Sequence, residues 1–358
     1  MPRRHTYIIA EVGINHNGLI GNCHKLIDAA ASSGCDAVKF QYFRPEFLYP
    51  RSAGRLNWKD GRKKYSYDIY KAAEKNILPG RWIKSLIRRC HAMKLDFFSS
   101  VFDRGGVDYL VGKGMRKIKL SSYTVTNLPL VEHCAKTRLP IIMSTGGSSI
   151  EEVREAVRTI LKYHDNISLL HCVLSYPASL KQCNLSVMEG FAHLFPGIKV
   201  GYSDHTAEVS RAPVQAVYLG ARLIEKHITL DKNMKGPDHF FALDPMGLKQ
   251  MVKDIRKAER DLARGSFTID KLIYGSRRKK AGKDEKYLRD FCFMSLFSGR
   301  RIKTGERIAA EDISILRPGK KERGLEPKYL KLFEDRSVRA RKEIKFEDPI
   351  TWASIVLR

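Results

Sequence analysis

For its first 265 or so residues the chain alternates short apolar runs with amphipathic stretches. Runs rich in β-branched and aromatic residues read as strands at 7–12, 37–41, 96–100, 117–121, 140–144, 168–172, 199–203 and 222–227. Between them apolar positions recur at helical spacing over 22–33, 83–93, 130–136, 150–162 and 207–218, and a last helix is expected over 245–263. Strands and helices in strict alternation predict an α/β fold, a (β/α)8 TIM barrel. Ser149 with Glu152 has the spacing of a capping box, and Gly34 and Gly220 follow helical runs where a left-handed cap residue is wanted. The basic, aromatic stretch 44–80 reads as an elaborated loop after the second strand, a place where such barrels shape their pockets.

Past residue 275 the periodicity stops. The charge-dense run from Gly275 to Lys283 predicts a linker over 276–288, closing a barrel domain of 1–275. Strand-like runs at 292–297, 313–316, 337–340 and 350–353 then predict a compact, mostly β module over 289–358. Modules of that size are marginal alone and tend to dock on a larger body.

Composition narrows the picture. With 43% hydrophobic and 29% charged residues the chain can bury a sizeable core. No apolar run approaches the roughly 18–20 residues that span a membrane, so no membrane partner is expected. The apolar run at 7–12 is too short for a signal-peptide core and reads as the first core strand. Seven cysteines, an odd number without CxxC spacing, argue against a zinc ribbon or disulfide scaffold and for a reducing compartment, the cytoplasm. The net charge of +26 is spread along the chain. No zinc-finger spacing, RNP-like aromatic box or basic zipper accompanies it, so anionic substrates explain it better than nucleic acid does.

A barrel's chemistry sits at the C-terminal ends of its strands. There the sequence places Glu11, Asn15, Lys39, Gln41, Ser100, Lys119, Ser122, Ser144, Tyr176, Ser203, His205, Glu225 and His227. His205 and His227 end the predicted seventh and eighth strands, roughly 4.8 Å apart, so both imidazoles can meet on one cation. The alternative is two strand-end histidines bonded to backbone. Lys39 and Lys119, with Ser144-Thr145-Gly146-Gly147 and its free amides, make a candidate phosphate cradle; a lysine there can also be a solvated flank. Glu11 and Glu225 suit proton transfer or substrate hydroxyls, or pair with Lys39 or Lys226. Asp238, in Gly236-Pro237-Asp238-His239, is a rigid-loop carboxylate or a turn residue.

These segments together resemble the sialic acid synthase family, whose products are N-acetylneuraminate, pseudaminate and legionaminate. The match rests on Ala10-Glu11-Val12-Gly13-Ile14-Asn15-His16-Asn17-Gly18, Val38-Lys39-Phe40-Gln41, Met143-Ser144-Thr145-Gly146-Gly147, Gly201-Tyr202-Ser203-Asp204-His205 and Glu225-Lys226-His227. Arg301-Ile302-Lys303-Thr304-Gly305-Glu306 and Leu316-Arg317-Pro318-Gly319 resemble its C-terminal antifreeze-like (SAF) domain. The resemblance implies condensation of phosphoenolpyruvate with an aminosugar. It puts the phosphate on Lys39, Ser100, Lys119, Ser122, Ser144 and Ser203, and sugar hydroxyls on Glu11 and Asp238. A divalent metal, Mn2+ before Mg2+ or Co2+, would sit on His205 and His227. It also implies a domain-swapped homodimer in which the SAF domain reaches over the partner's barrel.

Two positions depart from the family pattern. Thr124 stands where the family has a glutamate after the fourth strand, in a run closer to the pseudaminate branch than to the neuraminate one. Met294 stands where the alignment places the arginine that bacterial members direct at the sugar's N-acyl group. Both changes point to a different acceptor sugar, or to a non-catalytic descendant that binds sugar or phosphate without turnover.

Overall fold

The computed structural model describes residues 5–60, 63–334 and 337–357, with backbone alone for 58–60 and 63–65. Eight parallel strands close into a barrel: β1 (Tyr7–Gly13), β2 (Ala37–Gln41), β3 (Asp96–Ser100), β4 (Ile118–Leu120), β5 (Ile141–Ser144), β6 (Ile167–Cys172), β7 (Lys199–Asp204) and β8 (Leu223–His227). Each strand pairs with its neighbours in sequence, and β8 closes against β1, so the predicted barrel is the observed one. The strands are buried along most of their length and their interior is aliphatic and aromatic, as a packed barrel requires.

The helical caps follow local chemistry. The Ser149 hydroxyl accepts from the Glu152 amide while Glu152 accepts from the Ser149 amide, starting the helix Ile150–Leu161. Gly34 ends the helix Ile20–Ser33 in the left-handed region at φ 81°. The expected last helix runs Pro245–Arg264, opened by the Asp244 side chain on the Gly247 amide.

Register sets the functional end. Glu11 lies beside Lys39 on one side and His227 on the other, Ser100 lies beside Lys119, and Ser203 beside Glu225. The long second loop carries a hairpin, Arg55–Asp60 with Lys63–Asp68, and the helix Ile69–Lys75.

The C-terminal part differs from expectation in two places. Residues within the expected linker form the helix Glu285–Cys292, because its Tyr287, Leu288, Phe291 and Cys292 find the barrel mouth to pack on. The final strand is not at 350–353. Those residues hold a tight turn at Trp352–Ser354, and Ile355–Val356 pairs with Arg339–Ala340 instead. Ser295–Ser298 pairs with Ile313–Leu316, and Leu296, Ile302, Ile308, Phe333, Val338 and Ile350 give the module a core of its own. The module lies over the mouth of the barrel. The Arg317 amide donates to Leu48 O (2.9 Å) and the Lys320 amide to Ala53 O (2.8 Å).

The barrel wall is tightest at Gly201, where a Cβ would lie 2.3 Å from the Leu223 carbonyl oxygen and 2.8 Å from a Leu170 methyl. Gly201→Ala should therefore destabilise the fold by about 1–3 kcal/mol, read as a lower midpoint of urea unfolding. A midpoint equal to that of the parent would contradict the packing described.

Candidate active site

At the C-terminal mouth of the barrel lies a cavity of about 590 Å3. Its floor is a buried network of four charges. The Lys39 ammonium sits 2.8 Å from Glu11 Oε1 and 3.7 Å from Glu225 Oε1, and Lys119 Nζ lies 3.6 Å from the same Glu225 oxygen. All four side chains are at most 5% exposed. Hydroxyls ring the network: Lys39 donates to Ser100 Oγ (3.2 Å), Lys119 to Ser144 Oγ (2.6 Å), and Ser203 to Glu225 (2.9 Å). Gln41 donates to Glu11 (2.9 Å).

Burial and neighbours set the charge states. Burial alone would raise Glu225, but Lys119 and Lys39 outweigh it and hold the carboxylate below its usual range. Burial also raises Glu11, and although Lys39 opposes this, Glu225 adds to the rise and the carboxyl stays above its ordinary value. Lys119 is lowered by burial and by Lys39. One oxygen each of Glu11 and Glu225 is buried without a hydrogen-bond partner. Buried acceptors in a cavity wall are sites that a ligand's hydroxyls can satisfy.

His205 and His227 stand on one wall with ring centroids 5.5 Å apart. The Nδ1–H of His205 donates to the Val173 carbonyl (2.7 Å), which leaves Nε2 for the cavity; burial lowers this imidazole, but Cys172 beside it raises it above the usual range. Burial, with His205 and Lys39 nearby, holds His227 well below the usual imidazole range, so it is neutral. Its Nδ1 is buried without a hydrogen-bond partner, 3.7 Å from Asp238 Oδ2. Asp204 and Lys226, the residues preceding the two histidines, form a fully buried ion pair. Lys226 Nζ is 2.5 Å from Asp204 Oδ2 and also donates to Thr206 O (2.6 Å), so the strand ends carrying both imidazoles are tied together. The alternative pairing of Lys226 with Glu225 does not form.

Lys39, Lys119, Gln41, Ser100, Ser122, Ser144, Tyr176, Ser203, Glu11, Asp238, His205 and His227 all line this one cavity. Three expected residues do not. Thr124 is fully buried and its hydroxyl donates to Ser121 O (2.8 Å), closing a one-turn helix at Ser122–Thr124 that turns Tyr123 to the cavity in its place. Met294 is buried among Phe43, Phe102 and Phe291, its sulfur accepting from Asn127 (3.3 Å). Asn15 donates to Ile228 O (2.9 Å) and holds the loop after β1. The expected free amides of the β5 loop are also taken: Gly146 donates to Ser122 Oγ (2.8 Å) and Gly147 to Glu285 Oε1 (2.9 Å).

Sequence reading missed the roof. Tyr49, Phe102, Tyr123 and Phe291 line it, and Arg317 enters from the C-terminal module. The Arg317 guanidinium lies over Tyr123 (4.7 Å) and Phe102 (4.8 Å), and it donates to the Tyr49 hydroxyl (3.4 Å). The Tyr123 and Tyr176 hydroxyls are 3.1 Å apart. So the cation this module brings to the cavity is Arg317, not a residue at 294. Its signal was an arginine at a strand end before Pro318-Gly319, the same kind of position as Lys39.

Fold and cavity define a (β/α)8 enzyme of the sialic-acid-synthase type. The model of the NeuB family matches residues 26–267, and the chain belongs to that family. The spore coat polysaccharide biosynthesis protein SpsE of Bacillus subtilis is 39% identical over 98% of this chain and 94% of its own. Its crystal structure superposes with a TM-score of 0.86 at 38% identity, covering 99% of this chain and 96% of that one. An N,N'-diacetyllegionaminic acid synthase of Legionella pneumophila is 36% identical over 87% of this chain and 85% of its own. A pseudaminic acid synthase of Helicobacter pylori is 30% identical over 96% of both.

Burial, with Glu11 beyond it, raises the Asp238 carboxyl from 3.8 to about 6 in the metal-free chain. The folded state thus binds this proton more tightly than the unfolded state. Its stabilisation is complete below about pH 4 and is lost as pH rises through about 6. Asp238→Asn has no such proton to lose. Relative to the parent it should gain about 2–3 kcal/mol between pH 4 and pH 7.5, measured by denaturant unfolding in chelator. A difference independent of pH would contradict the assignment.

Proposed function

We propose that the chain condenses phosphoenolpyruvate with the open-chain aldehyde of an N-acylated aminosugar, giving a nine-carbon 2-keto sugar acid and phosphate. One observation carries the reading: two buried ammonium groups ringed by serine hydroxyls face two imidazoles across a single cavity. Lys39 and Lys119 would hold the phosphate with Ser100, Ser122, Ser144 and Ser203. C3 of phosphoenolpyruvate bonds to the aldehyde carbon, and the aldehyde oxygen takes a proton. Water adds at C2, and the C2-bound phosphate leaves as inorganic phosphate. Glu11 and Asp238 would accept hydrogen bonds from sugar hydroxyls.

The imidazole pair fits a divalent metal. With His205 in its neutral form both rings offer an unprotonated nitrogen, and the His227 Nδ1 is a buried atom without a partner. Among the described residues no group of three or more His, Cys, Asp or Glu side chains is placed to hold a metal. Two protein ligands leave the remaining positions to water and substrate, as a catalytic site needs. A cation there, Mn2+ first with Mg2+ or Co2+ as alternatives, would polarise the aldehyde oxygen.

The roof speaks to the acceptor. With no carboxylate at position 124, the sugar's N-acyl end would meet Arg317 and the Tyr123–Tyr176 hydroxyl pair. The N,N'-diacetyllegionaminic acid synthase among the relatives supports testing doubly acylated hexoses. A module-exchanging homodimer would make the same roof contacts between copies. The seven buried free cysteines fit a reducing compartment such as the cytoplasm.

The second reading, a descendant that binds without turnover, draws on the inward-turned Thr124 alone. Incubation with phosphoenolpyruvate, Mn2+ and a panel of 2-acetamido and 2,4-diacetamido hexoses should release phosphate with at least one sugar. Chelator should abolish the release and added Mn2+ restore it. His205→Ala should lower kcat at least a hundredfold while phosphoenolpyruvate binding stays within threefold. Folded protein that releases no phosphate with any sugar leaves the non-catalytic reading standing.

A further inference from the structure

The helix Glu285–Cys292 begins inside the linker predicted over 276–288, yet its first residue is a carboxylate only 5% exposed. Glu285 has no cation within ion-pairing distance among the described residues. Its oxygens are taken by backbone instead. Oε1 accepts from the Gly147 amide (2.9 Å) and from the Leu174 amide (2.8 Å), and Oε2 from the Gly282 amide (2.6 Å). Gly147 belongs to the loop after β5, and Leu174 to the loop after β6. A single oxygen therefore bridges two adjacent loops of the mouth.

Both loops carry cavity side chains. The β5 loop continues from Ser144, which holds Lys119, and its Gly146 amide orients Ser122 Oγ. The β6 loop carries Leu174 and Tyr176. Between them space is exhausted: a Cβ on Gly147 would lie 2.6 Å from a Leu174 methyl. Arg289, one turn further along the same helix, closes the clamp from the other side. It donates to Gly147 O (2.7 Å) and forms a two-pronged pair with Glu152 at the start of the helix after β5. The Gly147 peptide is thus gripped at its N–H by Glu285 and at its C=O by Arg289.

We propose that Glu285 is a positioning residue, whose carboxylate fixes the β5 and β6 loops and through them Ser122, Ser144, Leu174 and Tyr176. In part this rests on the synthase reading, which names the ligand those side chains meet. The physical case is that a carboxylate shared by three amides is a strong acceptor in a low-dielectric site, and removing it leaves buried N–H groups unpaired.

The test compares Glu285→Ala, Glu285→Gln and Glu285→Asp. Gln keeps the oxygen that Gly147 and Leu174 share; Asp is one methylene short of both. Amide hydrogen exchange at Gly147 and Leu174 should be slow in the parent and in Gln, and at least tenfold faster in Ala and Asp. This readout needs no substrate, so it stands even if phosphoenolpyruvate proves not to be the ligand. The Kd for phosphoenolpyruvate, titrated on folded protein, should rise about tenfold in Ala and Asp and stay within threefold in Gln. The acceptor KM should rise with it, while kcat falls less than KM rises. A purely structural role would lower the unfolding midpoint without moving the Kd of the folded protein. Exchange or Kd values alike in Asp and Gln would overturn the proposal, including the case where Ala fails to fold. A parent without phosphoenolpyruvate binding, but with the exchange pattern above, counts against the ligand and for the clamp.

Discussion

Everything at the mouth of this barrel depends on keeping four opposite charges buried together. Lys39, Lys119, Glu11 and Glu225 would each be costly alone in that environment. Together their charges cancel, and the hydroxyls of Ser100, Ser144 and Ser203 take up hydrogen bonds that the ion pairs leave over. Parallel register makes this possible by setting Glu11 beside Lys39 and Ser203 beside Glu225. A neutral cluster does not by itself attract an anion. A phosphate entering it must loosen the hold of Glu225 on the lysines or see a carboxyl take up a proton. Glu11, already held above its ordinary range by burial, is the carboxyl nearer to that state.

A second buried pair serves a different end. Lys226 and Asp204 are fully buried, and they point away from the cavity floor toward the backbone of the β7 loop. They bond to each other and to Thr206 O and Glu208 O, so no ligand is needed to satisfy them. The contrast with Glu11 and Glu225, each with an unpartnered oxygen, separates groups satisfied within the scaffold from groups left open at the cavity. Sequence position does not separate them. Glu225, Lys226 and His227 are consecutive, and alternation along a strand sends the middle one to the other side of the wall from its two neighbours.

That alternation explains what could be read in advance. Period-two strands and period-3.6 helices declare the barrel, and polar residues at strand ends declare its working end. Lys39, Lys119, His205 and His227 were therefore legible, since alternation along a strand fixes which way the side chains near its C-terminal end face. Thr124 and Met294 were misplaced because they lie outside the regular strands. A one-turn helix rotated Thr124 inward and Tyr123 outward, and no periodicity announces a rotation of that size. Arg317 and Glu285 were illegible for another reason. Their role depends on how the C-terminal module docks, which is a tertiary contact between segments more than 100 residues apart.

The docking changes what the departures from the family pattern mean. Read as a string, a missing glutamate at 124 and a missing arginine at 294 suggest a site stripped of its acceptor contacts. In the folded chain neither side chain lines the cavity. The cavity instead receives a guanidinium from Arg317, stacked on Tyr123 and Phe102, and the paired hydroxyls of Tyr123 and Tyr176. A guanidinium only donates hydrogen bonds and a phenol both donates and accepts, where a carboxylate only accepts them. The hydrogen-bonding character of the roof is thus set by the C-terminal part of the chain, whose helix Glu285–Cys292 also ties the loops below.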